Sequence, residues 1–337
     1  MNLEERIVAC IKWGKVLNDP PDVWKEAILN ASVQNSWFEP HFITRSVNNI
    51  VEEYLNEQKL RQWIGGYSFK DSEPKKVGII MAGNLPLVGF QDVLSVFISG
   101  HRSKIKLAQK DQVLWPVLLD LFLSVDDRVG PYFEVVEKLQ KVDAVLATGS
   151  NNSARYFQYY FGKYPHIIRK NRVGVAVLNG YETDDDLLQL GQDVFLYFGL
   201  GCRNVSSLFV PRDYDFTRLL KLWTQFHSIK ENNSYHNNYD YNLAIYIMGK
   251  MNYLSNDVIF LVEQESLSSR IAAINYQYYD DIPQVIALLA NLKDDIQLVV
   301  STMNLSPLET ILPGKAQAPG LGDYADGIDT LKFLIGL

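Results

Sequence analysis

The chain has 337 residues, 47% of them hydrophobic, and carries a formal net charge of −7. That is enough length and apolar material for two folded domains, and an acidic balance with scattered lysines and arginines argues against nucleic acid as the main partner. Its two cysteines, Cys10 and Cys202, are far apart in sequence, which excludes a disulfide framework and a CxxC metal knuckle and suits a reducing cytosol.

The opening MNLEERIVACIKWGKVL places acidic residues in its first turn and lacks a basic stretch followed by an unbroken apolar core. It reads as an amphipathic helix rather than a signal peptide. Residues 1–74 continue as a helical lead-in packed on the domain that follows, with VEEYLNEQKLRQWI at 51–64 closed by Gly65-Gly66.

From residue 75 short apolar β runs alternate with helical stretches: KKVGIIMAG, QDVLSVFISG, SKIKLAQ, VLWPVLLDLFLSV and DAVLATGS. Such alternation predicts a parallel, doubly wound sheet, here a dinucleotide-binding domain over 75–180 that ends with the strand VGVAVLNG at 173–180. A second α/β domain over 181–305 carries Cys202. Its predicted elements are a helix through DLLQLGQDVFLYFG, the strand VSSLFVP, the helix RDYDFTRLLKLWTQF, the strand RIAAINYQYY, the helix IPQVIALLANL and the strand IQLVVST. Residues 306–337, rich in Gly and Pro until about 322, predict an irregular C-terminal strap before a last helical turn. No apolar run reaches the ~18–20 residues that span a bilayer, so the protein is expected to be cytoplasmic.

In YFGLGCRNVSSLFVP, at 197–211, Cys202 follows two glycines and precedes a β-like run, a place where backbone can approach a bound carbonyl. A thiolate suits thioester chemistry, because exchange between thioesters is nearly thermoneutral and the acyl-enzyme stays reactive to hydride. The ordinary fate of a lone cysteine is burial in a core. In IIMAGNLPLVGF the strand ends at Gly83-Asn84, so the Asn84 amide stands where α/β ligands bind and can donate to an oxyanion; capping a turn is the simpler use. Lys104 and Lys106 alternate onto one face of a strand, from which one can reach a ribose or phosphate or serve only as a solvated edge residue. The turn Thr148-Gly149-Ser150 lies between a strand and a helix, where N–H groups can face a pyrophosphate or be capped locally. The aromatic run YHNNYDY at 235–241 can line an acyl tunnel, with His236 as a proton carrier, or belong to the core.

The order of these motifs resembles the aldehyde dehydrogenase superfamily: AGNLPL is similar to its PWNFPL element, IKLAQKD to LKPSE, ATGSNNSAR to FTGSTEVG and FGLGCRN to the GQxC nucleophile segment. Within it, MAGNLPLVGF, ATGSNNSARYFQYYFGKYPHIIRKNR, FGLGCRNVSSLFVP and DYADGIDTLKFL look like the LuxC-type acyl-CoA reductases, a resemblance that covers roughly residues 75–337. It implies an aldehyde-dehydrogenase-like fold of two doubly wound α/β domains. It also implies Cys202 as the acyl-accepting nucleophile, Asn84 as oxyanion donor, Lys106 as a ribose or phosphate contact, Thr148, Gly149 and Ser150 as the cofactor turn, and Glu265 as the ribose-binding glutamate. Acyl-CoA would be the substrate, NADPH or NADH the cofactor, and a homo-oligomer or a lipid-synthesis enzyme the partner.

The stretch IRKNRVGVAV at 168–177 stands where hydrolytic members carry a general-base glutamate in ELGG, and it has no carboxylate. An acyl-enzyme awaiting hydride should be kept from water, so that departure agrees with reduction. Two rivals stay open: acyl transfer through Cys202 without reduction, and a non-catalytic nucleotide-binding partner in a lipid-synthesis complex.

Overall fold

A computed structural model describes residues 1–69 and 73–337; the end of the expected lead-in, residues 70–72, lies outside the described residues. The chain divides into two units, residues 1–171 with 319–337 and residues 172–318.

The first unit begins with helices α1 (Leu3–Asn18), α2 (Asp22–Gln34), α3 (Pro40–Asn49) and α4 (Glu57–Gly65). Asn2 caps α1 through a reciprocal box with Glu5, satisfying two otherwise orphaned N–H groups. The run expected to be one helix over 51–64 is broken, because Asn56 accepts from Lys59 N–H and starts α4 afresh.

A five-stranded parallel sheet follows, built from β1 (Lys76–Ile80), β2 (Arg102–Lys106), β3 (Phe133–Val135), β4 (Ala144–Thr148) and β5 (His166–Arg169). Helices α5 (Phe90–Ser99), α6 (Leu114–Val125) and α7 (Asn151–Phe161) connect the strands. Strand order β3-β2-β1-β4-β5 makes it doubly wound, with the chain reversing direction across the sheet between β1 and β4. Alternation along the strands sorts the two faces. Val77, Ile79, Ile105 and Leu146 join α5, α6 and the N-terminal helices in a core where Trp13 stacks on Phe122 at 4.1 Å. Val145, Ala147 and Ile80 face the other way, onto Phe157 and Phe161 of α7.

The second unit holds six strands in the order β11-β6-β7-β10-β9-β8: β6 (Val173–Val177), β7 (Val205–Pro211), β8 (Leu254–Ser255), β9 (Phe260–Glu263), β10 (Ala273–Tyr279) and β11 (Ile296–Val300). All pairings are parallel except that of the short edge strand β8 with β9. Helices α8 (Asp184–Phe195) and α9 (Phe216–Trp223) cover one face through Leu190, Phe195, Leu219 and Trp223. Helix α11 (Ile282–Asn291) covers the other through Val285 and Leu289, and α10 (Asn233–Met248) lies between α9 and β8 in the chain.

Two expected boundaries are corrected. The strand at 173–177 pairs with β7 and β11, so it opens the second unit instead of closing the first, and the division falls at 171/172 rather than 180. The C-terminal strap is split as well: residues 306–318 stay with the second unit, and 319–337, including α12 (Thr330–Ile335), return to the first. Among the described residues no helix is long and apolar enough to cross a membrane.

Candidate active site

In the first unit, register brings five of the expected residues to one edge. Ile80 of β1 is level with Lys106 of β2 and with Ala147 of β4, so the loop bearing Asn84, Lys106 itself and the turn Thr148–Ser150 all leave the C-terminal edge of the sheet. They flank the β1/β4 reversal, where open α/β sheets form a ligand crevice.

The Asn84 loop is pinned along its length. Met81 N–H donates to Lys106 O at 3.3 Å, Ser46 Oγ donates to Pro86 O at 2.9 Å, and Leu87 N–H donates to Asp111 Oδ2 at 2.8 Å. Leu87 holds a left-handed φ of 58°, a conformation that a branched side chain adopts only when its surroundings insist. Asp111 is almost fully buried, and burial pushes its carboxyl up to about 7 against the opposing effect of the Leu87 N–H.

The two lysines of β2 separate in role. Lys104 Nζ donates to Gln140 O at 3.4 Å and lies 3.5 Å from Glu134, whereas the exposed Lys106 ammonium has no side-chain partner among the described residues. Lys106 is thus an exposed cation at this edge, as is Lys110, whose Cβ lies beside the Asn84 loop at Gly83. Ser150 Oγ caps α7 by accepting from Ser153 N–H at 3.2 Å, so its hydroxyl serves the turn. Gly149 is obligatory for packing: a Cβ there would stand 2.9 Å from both Ser153 and the Phe157 ring.

In the second unit Cys202 is half-buried at the apex of a turn before β7, and no disulfide engages it. Asn204, 2% exposed, builds that turn. Its Oδ1 accepts from Gly201 N–H at 2.8 Å, its own N–H donates to Gly201 O at 3.1 Å, and its Nδ2 donates to the carbonyls of Asp193 and Leu196, both at 2.9 Å. Just upstream Tyr197 and Phe198 both have left-handed φ, 53° and 59°, held there by burial and by contact of Phe198 with the Tyr235 ring.

Two further segments close on this turn. Gly174 of β6 lies so near that a Cβ would meet Asn204 O at 2.8 Å and Arg203 O at 2.9 Å. The buried Asp193 carboxylate accepts from Gly314 N–H at 2.7 Å and Ala316 N–H at 3.0 Å, while Arg203 Nη1 donates to Ala316 O at 3.5 Å. Sequence reasoning missed Asn204 and Asp193. Asn204 had a local signal, as an Asn two residues past the cysteine, whereas the partners of Asp193 lie more than a hundred residues away.

Glu265 leads into a segment that runs back to the start of β7, where Leu267 O accepts from Ser206 Oγ at 2.6 Å. It follows β9, and its carbonyl accepts from Gln277 Nε2 at 3.0 Å. Tyr235 and Tyr239 of the aromatic run are core, Tyr235 OH donating to Val258 O at 3.1 Å and Tyr239 OH pairing with Ser255 Oγ at 2.9 Å, whereas Tyr241 is exposed. His236 lies on the exposed side of α10, 3.4 Å from Asp240.

No protein-family model matches the sequence, and no curated protein is a significant match. Solved structures do match. An aldehyde dehydrogenase, KauB, from Pseudomonas aeruginosa is 14% identical, covering 91% of this chain and 73% of its own, with a TM-score of 0.67. The NAD+ complex of an aldehyde dehydrogenase from Bacillus cereus gives 13%, 90%, 72% and 0.68 in the same order. Aldehyde dehydrogenase 21 from Physcomitrella patens, bound to the product succinate, gives 11%, 100%, 84% and 0.73. The two-sheet α/β architecture of this chain is thus the aldehyde-dehydrogenase-like fold.

Proposed function

We propose that the chain is an NAD(P)H-dependent acyl-CoA reductase of the LuxC type, acting through Cys202. The observation that carries this reading is the Cys202 turn itself. A half-buried thiol stands at the apex of a turn clipped by Asn204 and packed on Gly174, and the stretch 168–177 that stands in place of ELGG carries no carboxylate to activate water.

In this reading the Cys202 thiolate attacks the thioester carbonyl; the new Sγ–C bond forms as the bond to the CoA sulfur breaks, and CoA leaves as its thiolate. The N–H groups of the cysteine turn would stabilise the oxyanion, a contribution of ~3 kcal/mol for a well-aimed donor, and the resemblance implies the Asn84 amide as a further donor. The crevice suits a dinucleotide: Lys106 offers an uncommitted cation, and Thr148, Gly149 and Ser150 form the turn into α7. When bound, NAD(P)H supplies the hydride that reduces the acyl carbon. Cys202 then serves as leaving group as the thiohemiacetal collapses to the aldehyde. Glu265, two residues before the Leu267 carbonyl that meets Ser206, is kept as the ribose-binding carboxylate that the resemblance implies.

The test is to mix the protein with acyl-CoAs of graded chain length and NADPH or NADH, following cofactor oxidation and intact mass. The expected result is one acyl adduct on Cys202 without cofactor, and aldehyde with it. No adduct at any chain length overturns the proposal; an adduct discharged without cofactor oxidation makes the chain an acyltransferase or thioesterase.

A further inference from the structure

Arg169 ends β5, and its side chain is almost sealed from solvent, as is that of Asp92 in the first turn of α5. The guanidinium meets the carboxylate through two nitrogens, Nη1 to Oδ2 at 2.7 Å and Nη2 to Oδ1 at 3.0 Å. Nη2 also donates to Thr330 Oγ1 at 2.7 Å, and Nη1 reaches Thr148 Oγ1 at 3.5 Å. The backbone takes part too, since Gly149 N–H donates to Arg169 O at 3.4 Å.

A buried ion pair is a weak device for stability alone, because desolvating two charges offsets most of their attraction. This pair lies at the edge that forms the crevice, and it joins the crevice's two walls. Asp92 belongs to the helix that continues directly from the Asn84 loop, and Thr148-Gly149 is the turn leaving β4. The fork of the guanidinium fixes direction as well as distance. Thr330, buried in the first turn of α12, fills the remaining side of Nη2 and so sets which way the fork faces.

We infer that Arg169 is a positioning residue that fixes the separation of the Asn84 wall and the Thr148–Ser150 wall, with α12 locking its orientation through Thr330. The inference rests on the reading of this crevice as the dinucleotide site. It goes beyond that reading in giving the C-terminal helix a part in cofactor affinity without contact to the cofactor.

The experiment uses Thr330→Val, which keeps the shape and deletes the acceptor, and Thr330→Ser, which restores it; Arg169→Ala would strand a buried carboxylate and risk the fold. In steady state with acyl-CoA, Thr330→Val is expected to raise the KM for NAD(P)H about tenfold, with kcat and the acyl-CoA KM within about twofold and Thr330→Ser close to wild type. Hydrogen exchange at the amides of residues 149–153 is expected to speed up about tenfold in Thr330→Val alone, a readout that needs no turnover. Wild-type cofactor KM and exchange in Thr330→Val overturn the inference, as does faster exchange spread evenly over the whole unit. If the wild-type protein neither binds nor oxidises NAD(P)H, the proposed function falls, and the exchange comparison decides the positioning role by itself.

Discussion

The amide of Leu87 donates to the buried carboxylate of Asp111 at 2.8 Å, tying a left-handed residue of the Asn84 loop to a group whose burial pushes it up to about 7. The folded state therefore takes up a proton at Asp111 that the unfolded chain has already released. The stability linked to this group is complete below its unfolded value near 4 and is lost as pH rises through about 7. Asp111→Asn keeps an acceptor for Leu87 and removes the charge. Its urea midpoint should exceed that of the wild type at pH 9, by up to ~4 kcal/mol in stability, and the difference should fade as pH is lowered to about 4.

His101 works in the opposite direction. Its Nδ1 accepts from Lys75 N–H at 3.2 Å and its Nε2 lies 2.9 Å from Leu334 O, which assigns the neutral tautomer protonated on Nε2. Burial, helped by Arg6 and Lys75, holds it below the usual imidazole range. Its contribution is present in full above about pH 6.5 and is lost as pH falls through the depressed folded value. Amides of residues 330–335 should exchange faster at pH 5 than at pH 7.5 after correction for intrinsic rates, and His101→Ala should lose ~1–2 kcal/mol at neutral pH.

Gly174→Ala tests the cysteine turn from its neighbour. The new methyl would press on the carbonyl oxygens of Arg203 and Asn204, both backbone atoms that cannot swing aside. A destabilisation of ~1–3 kcal/mol is expected, together with a fall of about a hundredfold in acylation by acyl-CoA, because a shift of ~1 Å at a reacting atom has that effect. Acylation at the wild-type rate would show that the turn tolerates displacement.

Asn204→Ala should be worse for the fold and just as damaging to the site. It leaves Gly201 N–H and the carbonyls of Asp193 and Leu196 without their partner, at ~2–4 kcal/mol in total. Asn204→Asp, which keeps only the Gly201 contact, should fall between, as judged by thermal melts and by the rate of Cys202 alkylation.

The lysines of β2 give a paired comparison. Lys106→Ala should raise the KM for NAD(P)H by roughly tenfold, while Lys104→Ala, whose ammonium is engaged with Gln140 and Glu134, should change it less than about twofold. Equal effects would remove Lys106 from the cofactor site.

The central strands were legible because β1, β4, β6 and β7 are dense in Val, Ile, Leu and Ala and are bounded by turn residues. What strand content could not supply was partnership: Val173–Val177 reads as a buried strand in either sheet, and only its pairing with β7 and β11 assigns it. The short edge strands β3 and β5 have three and four residues, too few for a periodic signal. Helix α10 escaped because its Asn and Tyr residues give no apolar stripe, although Tyr235, Tyr239 and Tyr246 are buried. Cys202, Asn84, Lys106 and the Thr148–Ser150 turn were visible as local motifs. Arg169 and Asp193 were not, since each acts through partners such as Thr330 and Gly314 that arrive far along the chain.

The discontinuity of the first unit orders events during synthesis. Its sheet emerges before residue 171, yet Leu331 and Leu334, both fully buried in its core, and Thr330, which completes the Arg169 shell, follow only after the whole second unit has been made. The second unit is continuous and can finish while the first waits for its last core side chains. A released chain truncated after residue 318 should therefore present a folded second unit and a protease-sensitive first one, and a separately supplied peptide of residues 319–337 should restore resistance.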